Sequence, residues 1–240
     1  MNDSSQSEIE ALTIPGFHDV METFIQKHWG DGGIQKILDV GAGQGAFTKR
    51  LKERGCEVSA CDLHQDQFRL KNVEFKPADI SRHIPWPDET FNLVIGLEVV
   101  EHLDGASTFF QEAHRVLKPG GFFLISTPNI LSIKSRLQYL FSGFFYAFKP
   151  LPDSCGDAVI DHITPLPLDL YLYRLRRGGF SIAEITTDKW QRSSMLGMLL
   201  YPCIQFYTAV KYGRNSSALQ QNSFTCLLGR KLILLAQKQE

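Results

Sequence analysis

Residues 37–45 of the chain read ILDVGAGQG, and this stretch decides the fold. Its apolar residues Ile37, Leu38 and Val40 predict a short buried strand. Glycines then alternate with other residues, which lets the backbone turn tightly and lets a ligand approach without a Cβ in the way. A helical pattern starts at Ala46 directly afterwards. Because a strand, a glycine turn and a helix in this order aim free backbone N–H groups at the turn, the stretch predicts a site for a nucleotide-like cofactor.

The glycine pattern alone leaves two classes of cofactor open. Gly41, Gly43 and Ala46 also satisfy the G-x-G-x-x-G/A fingerprint of dinucleotide-binding proteins. Asp62 follows the next predicted strand, Glu57–Cys61. A carboxylate at that position can hold the ribose hydroxyls of NAD or of S-adenosylmethionine.

The order of further landmarks distinguishes the two cofactors. After Asp62 the chain reads PADI over residues 77–80, FNLVIGLE over residues 91–98 and RVLKPGG over residues 115–121. Taken with residues 39–45, this series resembles the class I S-adenosylmethionine-dependent methyltransferases. The resemblance implies an α/β fold with one Rossmann-like, doubly wound sheet of seven strands. That sheet would be mostly parallel with an antiparallel edge strand, formed from Phe180–Thr186 and Lys231–Ala236, and would carry a hydrophobic helical lid or insertion.

The length of 240 residues and a hydrophobic content of 43% predict a single methyltransferase domain over residues 1–240. Residues 1–35 would form an N-terminal helical cover, 36–129 the cofactor-binding core, 130–167 an aromatic lid insertion and 168–240 the rest of the sheet. The polar stretch Asn215–Ser223 predicts a loop. Five cysteines without metal-ligand spacing, and no secretory signal, predict a cytoplasmic protein. The net charge of −1 argues against a nucleic-acid partner.

The resemblance assigns cofactor-binding roles to residues at the ends of the first four predicted strands. Some would surround the methionyl part, namely Asp39, Gly41, Gly43 and Gly45. Asp62 would accept hydrogen bonds from both ribose hydroxyls, with Leu63 on the adenine. Asp79 would accept from the adenine amino group, with Ile80 beside it and Leu97 on the other face. The alternative interpretations are that Asp62 is a turn residue at the end of its strand and that Asp79 is a helix cap.

A second group of polar residues, EVVEH over residues 98–102, follows the fourth predicted strand. The spacing predicts that Glu98, Glu101 and His102 share one face of a helical turn. A similar E-x-x-E-H run occurs in ubiquinone-pathway O-methyltransferases and small-RNA 2′-O-methyltransferases, where it binds a divalent cation. This resemblance implies a site for Mg²⁺, Mn²⁺ or Zn²⁺, which His162 would complete. Without a metal, His102 would line the pocket near the methyl group as the catalytic residue, and His162 would be a structural residue.

Two apolar segments are unusual for a small methyltransferase. Ile130–Phe148 is rich in aromatic residues, and Ser193–Val210 contains no charged residue. Three interpretations stay open for them: peripheral contact with a membrane or a lipid-like substrate, a hydrophobic lid, or a homodimer interface. The two segments also resemble insertions in bacterial methyltransferases of glycolipid or cell-surface polysaccharide synthesis.

These observations predict an enzyme that transfers a methyl group from S-adenosylmethionine to a small-molecule, lipid or glycan acceptor at oxygen. One alternative is a metal-assisted RNA 2′-O-methyltransferase, against which the absence of a strongly basic face counts. Another alternative is a non-catalytic cofactor-binding protein. A dehydrogenase is the remaining alternative, because of the glycine fingerprint.

Overall fold

The computed structural model of the protein describes residues 9–30, 33–153, 161–213 and 215–239. Within these residues one mixed sheet carries helices on both faces. The strands are β1 (Lys36–Val40), β2 (Glu57–Asp62), β3 (Glu74–Pro77), β4 (Phe91–Leu97), β5 (Leu117–Pro128), β6 (Phe180–Thr186) and β7 (Lys231–Lys238). The helices are α1 (Phe17–Trp29), α2 (Ala46–Glu53), α3 (Ala106–Val116), α4 (Ile133–Ser142), α5 (Leu168–Arg177), α6 (Arg192–Met195), α7 (Tyr201–Tyr212), α8 (Ser216–Gln221) and α9 (Phe224–Leu228).

The seven strands lie in the order β3-β2-β1-β4-β5-β7-β6, which confirms the predicted doubly wound fold. Strands β1 to β5 pair in parallel, and β7 runs antiparallel to both of its neighbours. The antiparallel strand therefore lies one place in from the edge, and β6 is the edge strand. The chain order reverses between β1 and β4, and ligands of open α/β sheets bind at that point, beyond the carboxyl ends of the strands.

Alternating side chains of the central strands fill two hydrophobic cores. One face packs Ile37, Ile95 and Leu124 against α1 and α2. The other face packs Leu38, Val94 and Phe123 against α3 and α5. The strands are apolar on both faces because helices cover both, as is typical of parallel sheets.

Two predictions of local structure were wrong. The polar stretch Asn215–Ser223 contains helix α8, because the Asn215 side chain accepts a hydrogen bond from the Ala218 N–H at 3.0 Å and caps the helix. The apolar residues 122–126 predict a fifth strand that begins after Pro119-Gly120-Gly121, and the observed strand β5 is longer. It begins at Leu117, which pairs with Phe91 before a register shift. Gly120 takes a φ of 71° inside this strand, so the Pro-Gly-Gly sequence continues the strand instead of preceding it.

Among the described residues, no helix is both long enough and apolar enough to cross a membrane.

Arg115 fixes the loop between β3 and β4 to α3. Its guanidinium donates to the Ile84 and Trp86 carbonyl oxygens, both at 2.8 Å, and to the Glu112 carboxylate at 2.7 Å. The Glu112 carboxylate also accepts from the Ile84 N–H at 2.9 Å. The hydrogen bond from Arg115 lowers the pKa of Glu112 to about 2. This network holds in place the loop that begins with Asp79 and Ile80.

We expect Arg115→Ala to lower the free energy of unfolding by about 2–3 kcal/mol, because it removes a donor to two carbonyl groups and the positive charge that pairs with Glu112. Arg82→Ala is the matched control, since its exposed side chain makes only a surface pair with Asp79 and its loss should cost less than about 0.5 kcal/mol. Urea unfolding followed by circular dichroism measures both. Equal stabilities of the two variants would contradict this role of Arg115.

Candidate active site

The turn after β1 requires glycine. Gly41, Gly43 and Gly45 have φ values of 70°, 53° and 89°, which side chains other than hydrogen rarely allow. A Cβ on Gly41 would lie 2.4 Å from Cγ2 of Val99, so the turn after β4 also fills the space beside it. The two turns at the carboxyl edge of the sheet therefore touch.

Asp62 at the end of β2 connects this turn to the next loop. One carboxylate oxygen accepts from the Gly43 N–H at 2.8 Å and the other accepts from the His64 N–H at 2.9 Å. Asp62 therefore forms the hydrogen bonds of a turn residue at the end of its strand, which was the alternative interpretation of the sequence. A carboxylate oxygen has two lone pairs, so each oxygen retains capacity for a ligand hydroxyl.

Asp39 lies buried beneath the glycine turn. The Thr48 hydroxyl of α2 donates to its carboxylate at 2.5 Å. Burial raises the pKa of Asp39 to about 7, against the opposite effect of the Thr48 hydrogen bond. The pair ties the first turn of α2 to the end of β1.

The residues predicted to surround an adenine differ in their surroundings. One Asp79 oxygen accepts from the Ser81 N–H and hydroxyl, at 3.1 and 2.5 Å, and the other pairs with Arg82 at 3.0 Å. Asp79 thus stabilises its own turn, and it is not the helix cap of the alternative interpretation, because the described chain has no helix between β3 and β4. Ile80 and Leu97 are buried, whereas the Leu63 side chain is exposed.

Glu98 does not lie with Glu101 and His102, although the E-x-x-E-H spacing predicted that the three share one face. Its φ of 56° turns the chain, and its carboxylate accepts from the Ser126 hydroxyl at 3.0 Å and pairs with Lys231. Residues 100–102 then form a short 3-10 turn in place of the expected α-helical face. Among the described residues, the three that come together are Glu101, His102 and His162, with possible ligand atoms within 4.8 Å of one another.

Glu101 is fully buried, and neither carboxylate oxygen has a hydrogen-bond partner among the described residues. Burial first, and the negative charge of Glu98 second, raise the pKa of Glu101 well above its ordinary value. A buried carboxylate without partners is costly, so a proton or a cation is needed to balance it.

Each of the two histidines directs Nδ1 toward a backbone carbonyl oxygen, which leaves Nε2 without a backbone hydrogen bond among the described residues. Nδ1 of His102 lies 3.1 Å from the Asp161 carbonyl oxygen, and Nδ1 of His162 lies 2.7 Å from the Ala147 carbonyl oxygen. A carbonyl only accepts, so each Nδ1 carries a proton, and in the neutral imidazole Nε2 then keeps its lone pair. Burial and the neighbouring His162 lower the pKa of His102, which favours this neutral form.

The loop that carries His162 is attached to the turn after β4. The Glu101 carbonyl oxygen accepts from the Ile163 and Thr164 N–H groups at 2.8 and 3.0 Å. The Thr164 hydroxyl donates to the Leu103 carbonyl oxygen at 2.6 Å. These bonds hold His162 beside His102, where the two rings meet edge to face with centroids 4.8 Å apart.

Sequence reasoning missed two residues of this region. Lys231 is buried at the start of β7, where its ammonium pairs with Glu98 and lies 4.4 Å from the centre of the Phe17 ring. Tyr171 of α5 donates to the Thr127 hydroxyl at 3.1 Å. The only signal for Lys231 is a charged residue at the head of an apolar strand.

The pKa of Asp39 predicts a pH-dependent stability. A carboxyl whose pKa rises from 3.8 to about 7 on folding stabilises the folded state below pH 4, and this stabilisation is lost as the pH rises to 7. Asp39→Asn cannot ionise but can still accept from Thr48. The free energy of unfolding of the variant, relative to the natural chain, should therefore increase from pH 4 to pH 7 and then level off. Urea unfolding across this range measures it, with Asp66→Asn as an exposed control. A difference that stays constant with pH would contradict the raised pKa.

A family profile described as a methyltransferase domain matches residues 38–125. The human mitochondrial ubiquinone biosynthesis O-methyltransferase is 33% identical over 153 residues, which cover 58% of this chain and 42% of the human protein. The ubiquinone biosynthesis O-methyltransferase of Acinetobacter baylyi is 26% identical over 175 residues, which cover 68% of this chain and 70% of that protein. The chain thus spans less than half of the human relative.

A solved structure of an S-adenosylmethionine-dependent methyltransferase from Archaeoglobus fulgidus has the same fold, with a TM-score of 0.59 at 16% identity. The alignment covers 92% of this chain and 94% of that one. Residues 38–125 thus match a methyltransferase domain, and the described chain has the fold of the S-adenosylmethionine-dependent methyltransferases.

Proposed function

We propose that the protein transfers a methyl group from S-adenosylmethionine to an oxygen atom of a small-molecule acceptor. The observation that carries this proposal is the buried Glu101 carboxylate beside His102 and His162, at the carboxyl edge of the sheet next to the glycine turn. The curated relatives are named O-methyltransferases, which supports oxygen as the acceptor atom.

The cofactor would lie across the ends of β1 and β2. Gly41, Gly43 and Gly45 leave room for its methionyl part, and Asp39 supports their turn from below. Asp62 would accept from the two ribose hydroxyls through the lone pairs that Gly43 and His64 leave free.

The adenine would lie beside the exposed Leu63, with the buried Ile80 and Leu97 on its other side. Asp79 would accept from the adenine amino group. It would do so with a carboxylate that Ser81 and Arg82 already orient.

The reaction would be an in-line displacement. A lone pair of the acceptor oxygen forms the new O–C bond, the C–S bond of the sulfonium breaks, and its electron pair returns to sulfur. The hydroxyl proton must leave as the bond forms, and without a bound ion Nε2 of His102 would take it, since Nδ1 faces a carbonyl oxygen and burial lowers the pKa of this histidine. The sulfonium is already reactive, so alignment and exclusion of water are the main tasks of the protein.

A divalent cation fits the Glu101, His102 and His162 group, because the carboxylate has no partner and both Nε2 atoms keep a lone pair. One oxygen and two imidazole nitrogens suit Mn²⁺ or Zn²⁺ better than Mg²⁺. When bound, such an ion would lower the pKa of an acceptor hydroxyl, and Nε2 of His102 would then be its ligand instead of the base. Glu98 is not part of this proposed set, since Lys231 neutralises it.

A lipid or glycan acceptor would enter between α1 and the aromatic segment 130–167. Phe148 of that segment contacts the His162 ring, with centroids 5.3 Å apart, so this segment leads to the proposed base. We propose that it acts as a lid over the acceptor.

The cofactor assignment predicts that Asp62→Ala weakens the binding of S-adenosylhomocysteine by about 1.5–3 kcal/mol, the scale for hydrogen bonds to a charged group. Asp66→Ala, an exposed acid of the same loop, should leave the affinity unchanged. Calorimetric titration measures both. An unchanged affinity of folded Asp62→Ala would contradict the ribose assignment, and NAD binding without S-adenosylhomocysteine binding would contradict the cofactor.

The cation assignment predicts one Mn²⁺ site per chain, visible by electron paramagnetic resonance of free Mn²⁺. Glu101→Gln should weaken this site at least about tenfold, on the scale of losing a charged ligand, and should leave S-adenosylhomocysteine binding intact. Glu53→Gln, a surface carboxylate on α2, is the control. Absence of binding by the natural chain, or equal binding by Glu101→Gln, would contradict the site.

A further inference from the structure

A large apolar surface lies outside the proposed active site. It consists of α4 and of the segment from α6 to α7, residues 192–212, and is called the aromatic face below. Its most exposed apolar side chains are Leu199 at 89%, Phe141 and Leu196 at 85%, Phe206 at 73%, Leu140 at 72% and Val210 at 71%. Single exposed apolar residues are ordinary, whereas such a cluster marks a surface that is covered in use.

The two parts of the aromatic face form one surface because they pack on each other. Ile133 at the start of α4 packs with Tyr201 and Ile204 of the second part. Gly197 lies so close to Ile133 that an added Cβ would be 2.4 Å from Cγ2 of Ile133. The Arg136 guanidinium donates to the Gln221 carbonyl oxygen at 3.1 Å and fixes α4 to α8.

The charge pattern of this region is one-sided. The chain contains 26 acidic residues, yet residues 130–152 and 189–239 contain none. The same ranges carry basic residues, and those of the aromatic face and its borders include Lys134, Lys149, Arg192 and Lys211. The Lys134 ammonium lies 3.7 Å from the centre of the Tyr146 ring. Cations are thus interspersed with aromatic and aliphatic side chains, without a carboxylate to repel an anionic partner.

We propose that the aromatic face docks on the surface of an anionic phospholipid bilayer. Exposed Leu, Phe and Val side chains would enter the boundary between headgroups and acyl chains, and the lysines and Arg192 would contact the lipid phosphates. A second copy of the chain fits less well, because a two-fold dimer would place this acid-free, basic surface against itself.

Docking would bring the bilayer close to the acceptor side of the site. The aromatic face continues through Tyr146 to Phe148, which contacts His162. A lipid-borne acceptor could then reach His102 without passing through water. This consequence rests on the proposed function, whereas the docking itself does not.

The test is cosedimentation of the full chain with vesicles of phosphatidylcholine alone or mixed with phosphatidylglycerol. We expect binding to the mixed vesicles that weakens as salt increases. Leu199→Glu and Phe206→Glu should each reduce binding about tenfold, since a carboxylate replaces an inserted side chain and opposes the anionic lipid. Both positions are exposed, so the fold should persist. Tyr173→Glu, an exposed aromatic residue on α5, should bind like the natural chain.

Three outcomes would overturn the proposal. These are no binding to the mixed vesicles, equal binding by Leu199→Glu and Tyr173→Glu, and a dimer in analytical ultracentrifugation that Leu199→Glu converts to a monomer. S-adenosylhomocysteine titration of the same samples separates this proposal from the proposed function. Vesicle binding without cofactor binding would support docking and reject methyl transfer, and the reverse result would do the opposite.

Discussion

The contact between Gly41 and Val99 is the constraint on which the site depends. Because no Cβ separates them, the turn after β1 and the turn after β4 touch at the point where the strand order reverses. The first turn leads to Asp62 and the second to Glu101 and His102. The missing side chain at one glycine therefore allows the turn that we propose to bind the cofactor to lie directly beside a group of acid and imidazole side chains. A larger residue at position 41 would separate the two.

The two glutamates that follow β4 differ in whether a positive charge pairs with their carboxylate. Glu98 is neutralised by the buried Lys231, and Glu101 receives no such partner among the described residues. Burial lowers the pKa of the neighbouring His102, and Nδ1 of each histidine faces a carbonyl oxygen. The uncompensated group is thus a single carboxyl, and the site is suited to a positively charged species or a proton.

The parts of this structure that the sequence predicted depend on local signals. The glycine turn and the apolar strands β1 and β4 follow from backbone freedom and hydrophobic period. The diversion of Glu98 depends on Lys231, which is distant in the chain, so the E-x-x-E-H spacing suggested a wider group. The longer β5 likewise arises from pairing of Leu117 with Phe91, which overrides the Pro-Gly-Gly signal. The sequence of α7 has no clear helical period of apolar residues, so it did not indicate which side of this helix is exposed.

The chain between Asn129 and Ile163 is attached to the rest of the fold by hydrogen bonds at both ends. Before it, the buried Asn129 side chain donates to the Cys226 and Gly229 carbonyl oxygens and accepts from the Leu131 N–H. After it, the Ile163 and Thr164 N–H groups bind the Glu101 carbonyl oxygen. Such fixed ends make the intervening residues an exchangeable cassette. Evolution or protein engineering can graft a different cassette between them and change what the scaffold recognises, while the strands and their turns stay as they are.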